Sequence, residues 1–396
     1  MRAKILENVS ISNTIAISDL AKKLRADGKD VISLSMGEPD FDTPDIVKRA
    51  AIKAIKDGHT NYTALPGIIE LREMIVEKFL HDNSLSFNTS EIMITNGAKQ
   101  SIFNALLATL NNGDNVLVPA PYWVSYPDMV SLAGATPRIC KTNHDNILEP
   151  EELEKNIDNN TKWLILNSPS NPSGAVYSMD DLRKLAKVLN KYPHVHIISD
   201  DVYEKIIYDK LPFYNIINAA PELKSRTIVI NAVSKSYAMT GWRIGYAAGP
   251  ECLIKDMLIV QSQSTSCASS ISQYAAVEAL RSCSDFIDKN IHIFQDRRDM
   301  LLHELSSING ISFSKPQGAF YLLLSCNNII ARAVQKGMDC IKNDVDLASF
   351  VLKNALVAVV PGSDFGMPGT LRISYASSKE VLFKAVKRMS SVFNSI

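Results

Sequence analysis

The chain has 396 residues, with 42 Lys plus Arg against 42 Asp plus Glu and so no formal net charge. That length exceeds one small domain and can bury a substantial core, while the charge balance leaves no overall field to draw the chain to nucleic acid or an anionic membrane. The six cysteines, Cys140, Cys252, Cys267, Cys283, Cys326 and Cys340, are scattered without a CxxC pair, which argues against a disulfide framework or a zinc site and for a reducing compartment.

No segment approaches the roughly 20 apolar residues of a membrane span, and Met1 to Asp19 lacks a secretory apolar core. A cytoplasmic protein is expected. The N-terminal stretch is irregular through the turn Gly37-Glu38-Pro39-Asp40 and becomes helical at Ile46 to Ile55. A strand at Ile92 to Ile94 leads through Thr95-Asn96-Gly97-Ala98-Lys99-Gln100 into a helix expected over Ser101 to Leu110. Apolar, β-branched runs then recur at Val116 to Val118, Trp163 to Leu166, His196 to Ile198, Thr227 to Ile230 and Ile244 to Ala247. Helical patterns at Met179 to Leu189 and Ile271 to Leu280 separate some of them. Past Phe294 come a charged helix, the turn Lys315-Pro316-Gln317-Gly318, and strands at Ala319 to Leu324, Ala355 to Val360 and Thr370 to Tyr375.

This alternation predicts an α/β fold with a mainly parallel central sheet, whose sites gather beyond the strand ends. A large domain is expected over 46–290, with a smaller α+β domain assembled from 1–45 and 291–396.

Chemistry concentrates just after the strands. Lys235 lies beyond an apolar strand, where burial and cationic neighbours favour the neutral amine that a Schiff-base nucleophile needs, although a lone lysine is usually solvated. Asp200 ends the strand in Ile197-Ile198-Ser199-Asp200-Asp201-Val202-Tyr203, where a carboxylate can keep a heteroaromatic nitrogen protonated; Tyr203 follows three residues on. Such an Asp pair also commonly just ends a strand. Gly97 and Ala98 at a helix N-terminus offer backbone N–H groups to a phosphate, and Arg243 can add a cationic fork. Lys99 either assists that phosphate or is exposed. Asn171, in Asn167-Ser168-Pro169-Ser170-Asn171-Pro172-Ser173-Gly174, can aim an amide at a ring, and Trp123 of Pro121-Tyr122-Trp123 can offer a flat face. Arg372 interrupts a strand pattern with a charge suited to a substrate carboxylate.

In this order, from about Ile15 to Tyr375, the segments resemble the fold-type I pyridoxal-phosphate aminotransferases, in the bacterial aspartate-aminotransferase-like branch. Ser234-Lys235-Ser236-Tyr237-Ala238-Met239-Thr240-Gly241-Trp242-Arg243 is the most specific motif, joined by Gly37-Glu38-Pro39-Asp40-Phe41, Pro121-Tyr122-Trp123, Asn171-Pro172-Ser173-Gly174 and Asp200-Asp201-Val202-Tyr203. The resemblance implies that Lys235 carries pyridoxal 5′-phosphate and moves the reacting proton. By the same resemblance Asp200 partners the pyridine nitrogen, Tyr203 and Asn171 face the ring hydroxyl, and Trp123 stacks on the ring. Gly97, Ala98, Lys99 and Arg243 would hold the phosphate; Arg372, helped by Gly37 and Asn171, would hold the substrate α-carboxylate. Tyr62 would reach the cofactor phosphate of a neighbouring subunit, implying a homodimer with shared sites.

The implied reaction moves an amino group from an L-amino acid to a 2-oxo acid, with aspartate and 2-oxoglutarate as the expected pair and aromatic or neutral amino acids, or prephenate, as the alternative. Departures from the branch pattern bear on that choice. Leu107 stands where some acidic-substrate members carry a lysine, Ser10 where another lysine is common, Cys267 and Ala268 where Asn-Pro is common, and Ala232 where many members place a serine.

Other classes fit less well. No GxGxxG follows a strand, as a nicotinamide dehydrogenase would need, and His194 and His196 have no clustered third ligand to make a metal site. An aminotransferase-like transcription regulator would need a DNA-binding module and a basic surface, whereas the resemblance starts near Ile15.

Overall fold

The computed structural model describes residues 3–7, 9 and 13–396; Ser10 lies outside them. A short parallel pairing links β1 (Ile32–Ser33) near the start of the chain to a strand near its end. The main sheet is built from β2 (Ile92–Thr95), β3 (Asn115–Pro119), β4 (Thr136–Cys140), β5 (Thr161–Asn167), β6 (His196–Asp200), β7 (Thr227–Ala232) and β8 (Gly245–Ala248), in the order β2-β8-β7-β6-β5-β3-β4. It is mainly parallel, as expected; β8 runs antiparallel to both β7 and β2.

The strands are apolar on both faces because helices cover both. Leu117, Leu164 and Ile197 enter one core, while Val116, Val118, Trp163, Ile165 and Ile198 enter the opposite one. That alternation follows from the two-residue period of a strand whose two sides are both buried. The helix Met179–Leu189 begins where Ser178 accepts from the Asp181 N–H and the Asp181 carboxylate accepts from the Ser178 N–H, a reciprocal cap readable in the sequence.

A third core joins both ends of the chain, with Ile17 and Leu34 packed together with Leu324, Leu371 and Phe393. It contains β9 (Tyr321–Ser325), β10 (Val357–Ala358), β11 (Val360–Pro361) and β12 (Thr370–Ser374). The single strand expected at Ala355 to Val360 is two short ones, because β10 pairs with β1 while β11 turns to β12. The charged helix expected past Phe294 already starts at Ser284 and runs to Ser306. Among the described residues, no helix is long and apolar enough to cross a membrane and no group of acidic, His or Cys side chains is arranged to hold a metal ion.

What the sheet does for the site is a matter of register. Asn167 of β5 pairs with Asp200 of β6, and Asp200 with Ile230 of β7, so three parallel strands end at nearly one level. The turns that leave them, carrying Asn171, Asp200 to Tyr203 and Lys235, open on the same edge, where ligands of open α/β sheets bind.

Candidate active site

A cavity of about 460 Å³ lies at that edge. Its lining includes Lys235, Asp200, Tyr203, Asn171, Arg372 and Trp123. Gly37, Ala98, Lys99 and Arg243 also border it.

Lys235 follows β7 by three residues and is partly buried. Its ammonium donates to the Gly37 carbonyl oxygen at 2.5 Å. Burial holds its pKa down at about 8; Arg243 and Arg372 act in the same direction, and the carboxylates of Glu38 and Asp200 oppose it. The segment leading to Arg243 is tightly wound: Ala238 and Arg243 both take positive φ, 52° and 58°, a conformation that costs an L-residue free energy and recurs at functional sites. Thr43 fixes the turn by donating to the Ala238 carbonyl at 2.6 Å.

Asp200 is buried at the end of β6. One carboxylate oxygen accepts from the Tyr126 hydroxyl at 2.5 Å and the other from the Val202 N–H at 3.3 Å. Burial pushes its pKa up to about 6, against the pull of these two donors and of Lys235, so it is ionised at neutral pH. Tyr203 is buried beside it, and its hydroxyl bonds the Tyr321 hydroxyl at 2.9 Å.

The glycine turn works by shape. The helix expected from Ser101 starts three residues earlier, at Ala98, with Gly97 at φ 85° as its cap. A Cβ on Gly97 would land in the Arg243 guanidinium, and one on Gly245 in the backbone of Gly97 and Ala98. Helix N-terminus and arginine are thus brought together only because both glycines lack side chains. Lys99 extends over the Trp123 ring, 4.8 Å from its centroid.

Arg372, on β12, is buried. It donates to Asn171 Oδ1 at 3.1 Å and to the Ser35 carbonyl at 2.8 Å, and its guanidinium stacks 4.7 Å over Tyr321 and 4.8 Å over Phe365. Arg372 Nε has no hydrogen-bond partner among the described residues. A buried cation with donor capacity left over, held rigidly at a cavity wall, is suited to a carboxylate.

Residues 29–389 match the family model described as aminotransferase class I and II. The chain belongs to that family. It is 48% identical over 393 residues to a probable aspartate/prephenate aminotransferase of Rickettsia felis, covering 99% of this chain and 96% of that one. To an aspartate aminotransferase of Rhizobium meliloti strain 1021 it is 46% identical over 391 residues, 98% and 95% of the two chains. Among solved structures, the aspartate aminotransferase from Rhizobium meliloti superposes with a TM-score of 0.94 at 44% identity, covering 100% and 99%. The Thermus thermophilus aspartate aminotransferase with maleate gives 0.92 at 39%, covering 99% and 100%.

The transaminase family works with pyridoxal phosphate, and the residues present fit that group. A helix N-terminus and an arginine meet at a cradle that a Cβ would fill, and a buried carboxylate and a lysine with a depressed pKa open onto the same cavity. Of the residues singled out from sequence as site residues, Tyr62 and Gly97 are absent from the lining of this aminotransferase cavity; Tyr62 is 92% exposed. Gly97 acts behind the wall, against Arg243.

Tyr126, Tyr321 and the Ser35 carbonyl were not legible. Tyr126 falls with Met129 and Val130 on the buried face of the helix Ser125–Leu132, a spacing that reads as ordinary core. Tyr321 sits in the apolar run of β9. A hydroxyl's long-range partner leaves no local mark on the sequence.

Proposed function

We propose that this aminotransferase moves the amino group of L-aspartate to 2-oxoglutarate, giving oxaloacetate and glutamate, with pyridoxal 5′-phosphate held by Lys235. The observation that carries the reading is the opening of Lys235, Asp200 and Arg372 onto one cavity, each with its charge set by its surroundings. When bound, the cofactor supplies an electron sink that makes the substrate Cα–H acidic.

Each side chain then has a task. Arg372, steadied by Asn171, grips the α-carboxylate, with Gly37 bordering the same subsite, so that the Cα–H is aimed at Lys235. The Lys235 amine, neutral once its pKa is near 8 and its proton is lost, takes the proton from Cα and returns it on the other side of the reaction. Asp200, as the anion, would keep the ring nitrogen protonated; Tyr203 and Asn171 would hydrogen-bond the ring hydroxyl, Trp123 would supply a flat face for the ring, and Gly97, Ala98, Lys99 and Arg243 would hold the phosphate. We read Tyr62, almost fully exposed, as a ligand to the phosphate of a second copy's cofactor, which makes the enzyme a homodimer with shared sites.

The core that unites both chain ends supports a small domain of 1–45 and 291–396 against a large one of 46–290. Free cysteines throughout support a reducing, cytoplasmic setting. A second reading, an aromatic, neutral or prephenate-type substrate, is favoured by Leu107, an apolar residue 43% exposed at a position where, by the family resemblance, some acidic-substrate members carry a lysine.

An absorption titration decides between them. The protein with pyridoxal phosphate is expected to show a visible band that L-aspartate removes and oxaloacetate restores, absent in Lys235→Ala. A band that answers only to an aromatic or neutral amino acid moves the substrate to the second reading; no band in the wild type sinks both.

A further inference from the structure

Building on the pyridoxal-phosphate reading, we infer that Tyr126 is a positioning residue that holds the Asp200 carboxylate as an anion opposite the cofactor's ring nitrogen. Tyr126 is the second residue of the helix Ser125–Leu132 and is 2% exposed. Its hydroxyl is the only side-chain donor to Asp200 among the described residues, at 2.5 Å; the remaining contact to the carboxylate is the Val202 backbone N–H at 3.3 Å. The ring is fixed in turn by Trp123, edge to face at 5.4 Å and 86°. Trp123 and Tyr126 both line the cavity, so one short stretch of chain supplies both a wall of the site and the donor to its carboxylate.

The direction of the effect follows from the chemistry. A carboxylate buried this deeply tends to take up a proton, and a donor to its oxygen favours the charged form. Tyr126 stays a donor because burial and the neighbouring Asp200 charge push its own pKa well above the ordinary phenol value. With the hydroxyl removed, Asp200 becomes the stronger base, and the proton it shares with the ring nitrogen moves from nitrogen toward the carboxylate. The ring then loses part of its positive charge, the quantity on which its electron withdrawal depends.

The test uses the full chain loaded with pyridoxal phosphate labelled with nitrogen-15 in the ring. In Tyr126→Phe the ring-nitrogen resonance at neutral pH is expected to move toward the unprotonated position. The kcat is expected to fall about ten- to a hundredfold, the effect of losing one hydrogen bond to a charged group, while the KM for the amino donor changes little. Incorporation of 3-fluorotyrosine at position 126, the same shape with a more acidic hydroxyl, is expected to keep the nitrogen protonated and to shift the low-field proton resonance of the nitrogen–Asp200 hydrogen bond upfield. An unchanged nitrogen resonance in Tyr126→Phe overturns the inference. So does a fluorinated protein whose shared-proton resonance does not move, a result available even if the Phe variant fails to fold. A wild type that yields no bound-cofactor resonance overturns the cofactor reading itself, a different outcome from either.

Discussion

The Lys235 ammonium and the Gly37 carbonyl, 198 residues apart in sequence, meet at 2.5 Å. The contact pins the N-terminal turn onto the site, and Arg297 secures that turn from behind through a two-pronged pair with Asp40 at 2.7 and 2.8 Å. Since only the neutral amine attacks a carbonyl, attachment of pyridoxal phosphate to cofactor-free protein should depend on pH. With the Lys235 pKa held down at about 8, chiefly by burial, the neutral fraction rises about tenfold per pH unit below that value and levels above it. Stopped-flow absorbance between about pH 6 and pH 9.5 is expected to show that rise and plateau. A rate still climbing at the upper end would mean an ordinary, unshifted lysine.

The same shift has a consequence for stability. In the unfolded chain Lys235 holds its proton up to its ordinary value of 10.5, whereas in the fold it releases it near 8. Between those values the unfolded state binds more protons, so folding is favoured as pH rises through the window, and below it the buried cation is a constant burden. Lys235→Met in cofactor-free protein is therefore expected to raise stability at pH 7 by roughly 1–3 kcal/mol, a gain that shrinks toward pH 10. Urea unfolding at the two pH values measures it; an equal gain at both would assign the effect to packing instead.

How legible the site was depended on whether a residue's role has a local sign. Asp200 ends an apolar strand, Lys235 and Asn171 lie in the turns that leave two others, and Gly97 precedes a helix, so turn chemistry and strand ends marked them. Parallel register, which is not local, then brought those turns to one edge. Arg372 was visible as a charge inside an apolar strand. The helix starts at Ala98 rather than at Ser101 because Gly97 supplies the turn that frees Ala98 and Lys99 to be helical. The division of Ala355 to Val360 into two strands is set by partners in different sheets, information absent from the segment itself. Tyr126 and Tyr321 resemble core aromatics because each is one, with a hydroxyl whose partner comes from elsewhere in the chain.

Gly97→Ala isolates the phosphate cradle. The residue has φ 85°, and an added Cβ would occupy the space of the Arg243 guanidinium. The strain and the displaced arginine should weaken pyridoxal phosphate by about tenfold or more, with global stability changed far less. Equilibrium dialysis of cofactor, with inorganic phosphate as competitor, checks this. If phosphate competes equally well in mutant and wild type, the turn is not the phosphate site.

Arg372→Lys keeps the charge and loses the planar fork. Asn171 and the Ser35 carbonyl already use two of its nitrogens, and the single nitrogen of a lysine cannot reach both of those separated acceptors and also present a planar fork to a carboxylate. The expected loss in kcat/KM is about a hundredfold or more, carried mainly by KM. A change confined to kcat would place the arginine's effect on the proton transfer rather than on substrate binding.

Behind the site, Lys78 and Glu204 form an ion pair with side chains only 5% and 4% exposed. Asn83 completes it, accepting from Lys78 and donating to Glu204 at 2.7 Å each. Glu204 adjoins Tyr203, so the pair anchors the Asp200–Tyr203 turn to the helix Ile69–Asn83. Removing one partner leaves a buried charge without its counterpart, a loss of about 3–5 kcal/mol, whereas replacing both by apolar residues of similar size can be nearly neutral. Lys78→Met alone is therefore expected to destabilise strongly, and Lys78→Met with Glu204→Leu and Asn83→Leu, which leaves no buried polar group of the trio unpaired, to recover most of the loss in urea unfolding. Recovery of stability without recovery of kcat would mean that the pair, beyond holding the fold, sets the position of Asp200 and Tyr203; recovery of both would make it purely structural.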